Sequence, residues 1–359
     1  MPFAGITGWG KCLPPGVLTN ADLATFLDTS DDWIVSRTGI STRRIADCLL
    51  ADLAEVAAWR ALACAALAPT DIDLIVFGTT THDDQCPNMA SGLQQRLGAG
   101  ACAAMDLNTA CTSFLYGLST ANALIRTGVV RNALVIGAER ISPYMDWDDR
   151  NVSVLFGDGA AAVVLQATDE EEGIQLEKLG CYGDAREILR IHGIGGAYVH
   201  SGRLAGVTEW QFEGQEIFKK AVNGMGLACE DVLARAGVTA KEIDLVVPHQ
   251  ANLRIIEAVA KRAGIDMDRV FVNVHRYGNM SAATVPVALC EALEAGRITP
   301  HAHLLMPAFG GGLTFCAHLV RWGSRVTPLG SSDKELPTPT RTALETVLHY
   351  RSARPGKSA

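Results

Sequence analysis

Shifted against itself by 171 positions, the chain partly matches, and this constrains its fold more than any other feature. Leu62–Val76 falls on Leu233–Val247, and both stretches read as a helix, a short turn and a buried strand. At the same offset Asn108-Thr-Ala-Cys111 falls on Asn279-Met-Ser-Ala282, each opening an apolar helix. Leu134–Ala138 falls likewise on the strand-like Leu305–Phe309. Self-similarity at a fixed period signals duplicated architecture. Two copies that alternate strand and helix make two related α/β halves rather than a solenoid. Each half ends in a glycine turn and a further strand, Gly157-Asp-Gly159 before Ala160–Leu165 and Gly310-Gly-Gly312 before Leu313–Arg321.

The halves run over residues 1–169 and 170–323, with the acidic Asp169-Glu-Glu-Glu172-Gly173 as their joint. After Trp322, Pro, Ser, Thr and charge dominate, so residues 324–359 read as a polar tail outside the core. A chain of 359 residues with 48% hydrophobic content can bury a large core. Its net charge of −8 argues against general nucleic-acid binding, which needs a basic footprint. No apolar run is long enough to cross a bilayer, and the start shows neither a basic nor an apolar leader region. None of the ten cysteines has metal spacing, so reduced thiols, a cytoplasmic setting and no metal are expected.

One cysteine stands apart. Cys111 ends the extended run Ala103-Ala-Met-Asp-Leu-Asn-Thr-Ala and precedes a helical pattern that reaches Gly128. A thiol at a strand-to-helix junction sits at the positive end of the helix dipole, which favours the nucleophilic thiolate. The junction also aims backbone N–H groups at whatever the sulfur attacks. The second copy carries Ala282 at this position, so the chemistry is divided between the halves. Its own polar residues lie near strand ends, where α/β sheets form sites: His249 follows Leu245-Val-Val-Pro, and Asn279 sits in a glycine turn before a helix. Together with Cys111 they make a candidate triad.

These residues lie in a set of motifs that resembles one family across residues 3–322. The motifs are Thr29–Ile34, Arg37-Thr-Gly-Ile40, Thr42-Arg-Arg-Ile45, Phe156–Ala160, Val247–Arg254, Arg276–Ala282 and Ala308-Phe-Gly-Gly-Gly312. The chain is similar to the β-ketoacyl-[acyl-carrier-protein] synthases III of the thiolase superfamily. The resemblance implies a thiolase-like five-layer αβαβα fold and a homodimer without resident cofactor. It implies condensation of an acyl-CoA with malonyl-acyl-carrier protein to start fatty-acid synthesis, with coenzyme A thioester as substrate.

It also implies roles, residue by residue. Cys111 takes the acyl group as a thioester, and His249 and Asn279 hold the malonyl thioester oxygen as decarboxylation leaves an enolate. The N–H groups of Cys111 and Gly311 form the oxyanion hole. Trp33 and Arg150 flank the CoA adenine, and Gly214, Phe218 and Asn252 contact the pantetheine arm. Arg254, Lys261 and Arg262, with Lys219, offer a basic face to an acidic carrier protein. Cys86 matches a position that reaches across the dimer into the partner's acyl pocket. Thr112 and Ser113 replace the small residue and glycine usual after the nucleophile, so their hydroxyls are expected to narrow or hydrogen-bond the acyl site. The alternatives the resemblance leaves are relatives of the same fold that condense two long acyl groups or pass the acyl group to another acceptor in secondary metabolism, and non-catalytic partner subunits, which typically lack the cysteine. The intact Cys111–His249–Asn279 set favours carbon–carbon bond formation.

Overall fold

The structure, a computed structural model, describes residues 1–194 and 205–353. Nine strands form one continuous sheet: β1 (Phe3–Cys12), β2 (Leu74–Gly78), β3 (Ala103–Leu107), β4 (Asn132–Glu139), β5 (Gly159–Thr168), β6 (Gly173–Cys181), β7 (Leu245–Val246), β8 (His303–Gly310) and β9 (Thr314–Arg321). Their order is β7-β8-β9-β6-β1-β5-β4-β2-β3. The first five strands in sequence lie on one side and the last four on the other. The two groups meet only where Ala4 pairs with Gly173. Gly173 has φ 83°, and a Cβ there would come within 1.9 Å of the Ala4 carbonyl oxygen, so the joint requires glycine.

The 171-residue offset survives in three dimensions. β4 and β8 are related by it at both ends, as are the helix starts Ser113 and Thr284. Alternation along these strands makes the layers. Ala133 and Val135 of β4 face a central core, while Leu134, Ile136 and Ala138 face an outer one. On β8, Leu304, Met306 and Ala308 face the same central core, and Leu305 and Phe309 face a third cluster. The helices Ser113–Arg126 and Thr284–Glu294 fill the central layer. Helix Leu50–Ala65 covers the first half, and helix Gly214–Ala236 covers the second. The result is the five-layer αβαβα arrangement.

The C-terminal segment departs from its reading as a tail outside the core. Arg325 and the Leu329 N–H bond the Cys64 carbonyl, Lys334 and Glu335 pair with Glu55 and Arg60, and Thr340 and Arg341 bond Asp47. A helix, Ala343–Ala353, then buries Ala343 and Val347 in the cluster that also holds Leu18 and Ile45. Tyr350 and Arg351 reach Arg140 and Asp148. The polar composition misled because its charges are matched by complementary groups already on the first half. Residues 354–359 of this segment lie outside the described residues.

Candidate active site

The ends of β3, β4 and β8 converge with the turns after β7 and before helix Thr284–Glu294 on a cavity of about 2030 Å³. Cys111, His249, Asn279 and Gly311 all line it, so residues far apart in sequence share one chamber. Gly310 lets the halves touch there: a Cβ on it would come within 2.7 Å of the Cys111 nitrogen.

Cys111 lies in a 3-10 turn, Ala110–Thr112, that leads into helix Ser113–Arg126. Ala110 before it has φ 53°, a left-handed conformation that is strained for a residue with a side chain. The expected thiolate is not what this environment favours. Burial pushes the Cys111 thiol up to about 12, opposed by the Ser281 hydroxyl and the N–H groups of Cys111 and Gly311, while the Glu139 charge raises it further. Removal of water dominates, and among the described residues no cation acts on the sulfur in compensation. Both expected oxyanion-hole N–H groups do converge on the sulfur.

His249 is buried, and its imidazole is held down to about 3 by loss of solvent, so it is neutral. Its Nδ1 stands 2.6 Å from the Thr284 hydroxyl oxygen, which also lies 3.0 Å from the Ser281 carbonyl. That hydroxyl donates to the carbonyl, so its oxygen accepts from Nδ1–H; only when its proton turns onto Nδ1 does Nε2 carry the hydrogen and become the donor. Asn279 is oriented just as firmly. Its Oδ1 accepts the Ser281 N–H at 2.8 Å, which turns the amide nitrogen away as a donor.

Trp33, Gly214, Phe218, Asn252, Lys219 and Arg254 line the cavity toward its mouth. Arg150 lies outside the lining but places its guanidinium 5.1 Å from the Trp33 ring centroid and bonds the Asp28 carbonyl. Arg37, which opens the Arg37–Ile40 motif but carries no role assigned from the sequence, lies 4.8 Å over the same ring. Asn252 caps helix Leu253–Arg262 through the Arg254 N–H, and its Nδ2 donates to the Arg37 carbonyl.

The expected docking face is only partly available. Arg262 is exposed but engaged by Glu230 and Asn223, with its stem packed over Gly226. Lys219 pairs with Glu216 at 2.7 Å. Arg254 and Lys261 are exposed and form no ion pair among the described residues. Cys86 is exposed and outside the cavity lining of its own chain, although Gln85 beside it lines the cavity.

Thr112 and Ser113 do not touch the acyl site as expected. The Thr112 hydroxyl bonds the Thr109 carbonyl and Thr314, and Ser113 bonds the Ala110 carbonyl and the Thr109 N–H. Local backbone groups take these hydroxyls first. Four residues missed from the sequence belong to the site: Glu139, Thr81, Ser281 and Thr284. Ser281 lies inside the motif Arg276–Ala282, and its offset partner Ala110 adjoins Cys111, a signal that could have marked it.

Among the described residues no cluster of metal-ligating side chains occurs, and no helix is long and apolar enough to cross a membrane. Family models described as 3-oxoacyl-[acyl-carrier-protein] synthase III and its C-terminal part match residues 105–183 and 233–322. The chain is 55% identical to the β-ketoacyl-[acyl-carrier-protein] synthase III 2 of Vibrio cholerae, over 96% of this chain and 95% of the relative. It is 45% identical to the synthase III of Desulfitobacterium hafniense, over 90% of this chain and 99% of that one. The crystal structure of 3-oxoacyl-[acyl-carrier-protein] synthase III from Aquifex aeolicus superposes with a TM-score of 0.84 at 42% identity, covering 89% of this chain and all of the other. On sequence, fold and coverage together, this chain belongs to the 3-oxoacyl-[acyl-carrier-protein] synthase III family.

Proposed function

We propose that the Cys111 cavity carries out the family's initiating reaction, a decarboxylative condensation of an acyl-CoA with malonyl-acyl-carrier protein to give a 3-oxoacyl thioester. Cys111 attacks the acyl-CoA carbonyl, and the N–H groups of Cys111 and Gly311 hold the oxyanion. After CoA leaves, the malonyl thioester enters and loses carbon dioxide. The Asn279 amide and His249, whose Nε2 carries the hydrogen once the Thr284 hydroxyl turns its proton onto Nδ1, hold the enolate oxygen, and the enolate carbon attacks the acyl-Cys111 thioester. Preorganised donors of this kind contribute roughly 3–4 kcal/mol each to the transition state. Neutrality suits this role, because a buried imidazole far below its ordinary range donates a hydrogen bond without having given up or gained a proton. The chemistry needs no resident cofactor.

The observation that carries this reading is one cavity shared by the thiol, the neutral His249 imidazole, the oriented Asn279 amide and two backbone N–H groups facing the sulfur. In it, Trp33 and Arg150 part to take the adenine, and Gly214, Phe218 and Asn252 line the pantetheine path. Arg254 and Lys261, with Lys219, steer the acidic carrier. The enzyme works in the cytoplasm as a homodimer in which Cys86 of each chain closes the partner's acyl pocket. Cysteine is small there, so medium or longer acyl chains enter alongside acetyl, and Cys86→Phe shifts preference toward acetyl by overfilling the space.

The test is mass spectrometry of the enzyme after acyl-CoA, then after malonyl-carrier protein. The acyl mass should sit on a peptide containing Cys111 and disappear as the 3-oxoacyl product forms. Acylation of another cysteine, or an acyl-enzyme that never yields product, would refute the assignment.

A further inference from the structure

The end of β4 carries a carboxylate that the reaction as described leaves unused. Glu139 is fully buried. Its oxygens accept hydrogen bonds from the hydroxyls of Thr81 at 2.5 Å, Thr79 at 3.1 Å and Ser281 at 3.0 Å, and from the Thr80 N–H at 3.2 Å. It forms no ion pair among the described residues. The titratable groups facing it are Cys111, from the turn before helix Ser113–Arg126, and Tyr144. Arg140, next in the chain, sends its guanidinium to Tyr350 and Asp83 instead. A buried carboxylate without a cation is expensive to keep, and such groups concentrate where proton chemistry is done.

Cys111 presents the complementary problem. Its thiol is held protonated, and the neighbouring imidazole, down at about 3, is a poor acceptor. Ser281 stands between thiol and carboxylate. Its hydroxyl donates to Glu139 Oε1 and is within hydrogen-bonding reach of the Cys111 sulfur. The residue is held there in a left-handed conformation, φ 46°, by its N–H bond to Asn279 Oδ1. Strained residues of this kind persist where the surroundings over-determine them, and they cluster at working sites.

We propose that Glu139 accepts the Cys111 proton through the Ser281 hydroxyl and thereby activates the nucleophile. As the sulfur lone pair forms the S–C bond to the acyl carbon, the thiol proton passes to Ser281 Oγ and the Ser281 proton passes to Glu139 Oε1. The C–S bond to CoA then breaks with its electron pair going to the CoA sulfur. The proton returns by the same path to that sulfur, so CoA leaves as a thiol and the carboxylate is restored. Nothing is oxidised or reduced. Burial holds the Glu139 carboxyl above its ordinary range, which makes it a better acceptor than a surface carboxylate. Acyl-CoA as the electrophile rests on the function proposed above; activation of the thiol does not.

The experiment follows Cys111 alkylation by iodoacetamide against pH in the wild type, Glu139→Gln, Glu139→Asp and Ser281→Ala, with thermal unfolding of each. Single-turnover acyl transfer from acyl-CoA runs in parallel. In the wild type the alkylation rate should level off across neutral pH. Glu139→Gln should be slower by about 100-fold at neutral pH, within the usual range for a positioned base, and should climb with pH without levelling. Glu139→Asp should recover part of the rate. The competing role has the opposite sign: a carboxylate that is only a structural or electrostatic neighbour raises the thiol, so neutralising it speeds alkylation. Faster or unchanged alkylation in Glu139→Gln overturns the relay. If that variant does not fold, Ser281→Ala decides: it breaks the path with the carboxylate in place, and an undiminished rate overturns the proposal. A wild type that alkylates with this profile but takes no acyl group from CoA would leave the relay standing and sink the substrate assignment.

Discussion

The two halves build their site edges with the same backbone device and put it to different use. In the first half Asn108 Oδ1 accepts the Ala110 N–H; in the second, Asn279 Oδ1 accepts the Ser281 N–H. Ala110 and Ser281 are both left-handed, each opens a 3-10 turn, and each turn runs into a central helix. The helices begin with hydroxyl residues whose side chains bond back to the carbonyls of Ala110 and Ser281. Only the groups mounted on this frame differ. The residue after the left-handed position is Cys111 in one half and Ala282 in the other. Ser113 serves only local backbone, whereas Thr284 reaches His249. The offset-related strands β4 and β8 end in Glu139 in one half and Gly310 in the other. Duplication supplied the geometry, and divergence at a few positions made one half the nucleophile's and the other the donors'.

The largest expected effect comes from exchanging the mounted groups. Cys111→Ala should reduce acyl uptake below detection, and adding Ala282→Cys should not restore it. Ala282 is buried, and its carbonyl oxygen lies 2.3 Å from where a Cβ on Gly137 would stand, so no substrate reaches it. Acyl uptake by the double variant, read by mass spectrometry, would mean that the halves are functionally interchangeable.

A second measurement separates the donors from the nucleophile. His249→Ala should slow malonyl decarboxylation by about 100-fold or more, as loss of a preorganised donor does, while acyl uptake changes little; Asn279→Ala also frees the Ser281 N–H and should slow both. Equal losses in both half-reactions of His249→Ala would erase the division of labour.

The halves should also oppose each other in acid. The second half buries His249 and His318, both held down to about 3 by burial. The unfolded chain takes up these protons first, so each imidazole withdraws stability as pH falls from its ordinary range near 6.5 toward 3, by about 1.4 kcal/mol per pH unit. The first half buries Glu139 and Asp158, whose carboxyls burial raises; they add stability as pH falls through that raised range. His318→Gln lies away from the reacting groups, bonded to Ser119 at 2.8 Å, and should flatten the acid limb of a denaturation series by about one imidazole's slope. An unchanged limb would show that His318 is protonated in the folded state.

The smallest expected effect is at the rim. Arg254→Glu should raise KM for malonyl-carrier protein a few-fold and spare acyl-CoA self-acylation, and added salt should weaken the difference, given a Debye length of about 8 Å. Equal effects on both substrates would remove the second half's claim to the carrier.

The sequence carried the layered fold well because the offset pins strand and helix positions that are set locally. Cys111, His249 and Asn279 were legible because strand ends and glycine turns announce sites. What could not be read was the sum of the surroundings. The helix start at Cys111 suggested a thiolate, but the thiol's state depends on water removed by groups hundreds of positions away. Glu139 looked like the end of an apolar strand until three threonines and Ser281 closed around it. The Thr112 and Ser113 hydroxyls looked directed at substrate, and nearby carbonyls claimed them.

The docking of the C-terminal segment has a consequence for the order of events in the cell. Its contacts at Cys64, Glu55, Arg60, Asp47 and Arg140 all lie on the half that is synthesised first. During translation that half emerges and begins to fold well before the residues that complete its surface exist. The seat of Val347, beside Leu18 and Ile45, stays open to solvent until helix Ala343–Ala353 leaves the ribosome. Final closure of the first half therefore waits on a segment made only after the whole second half.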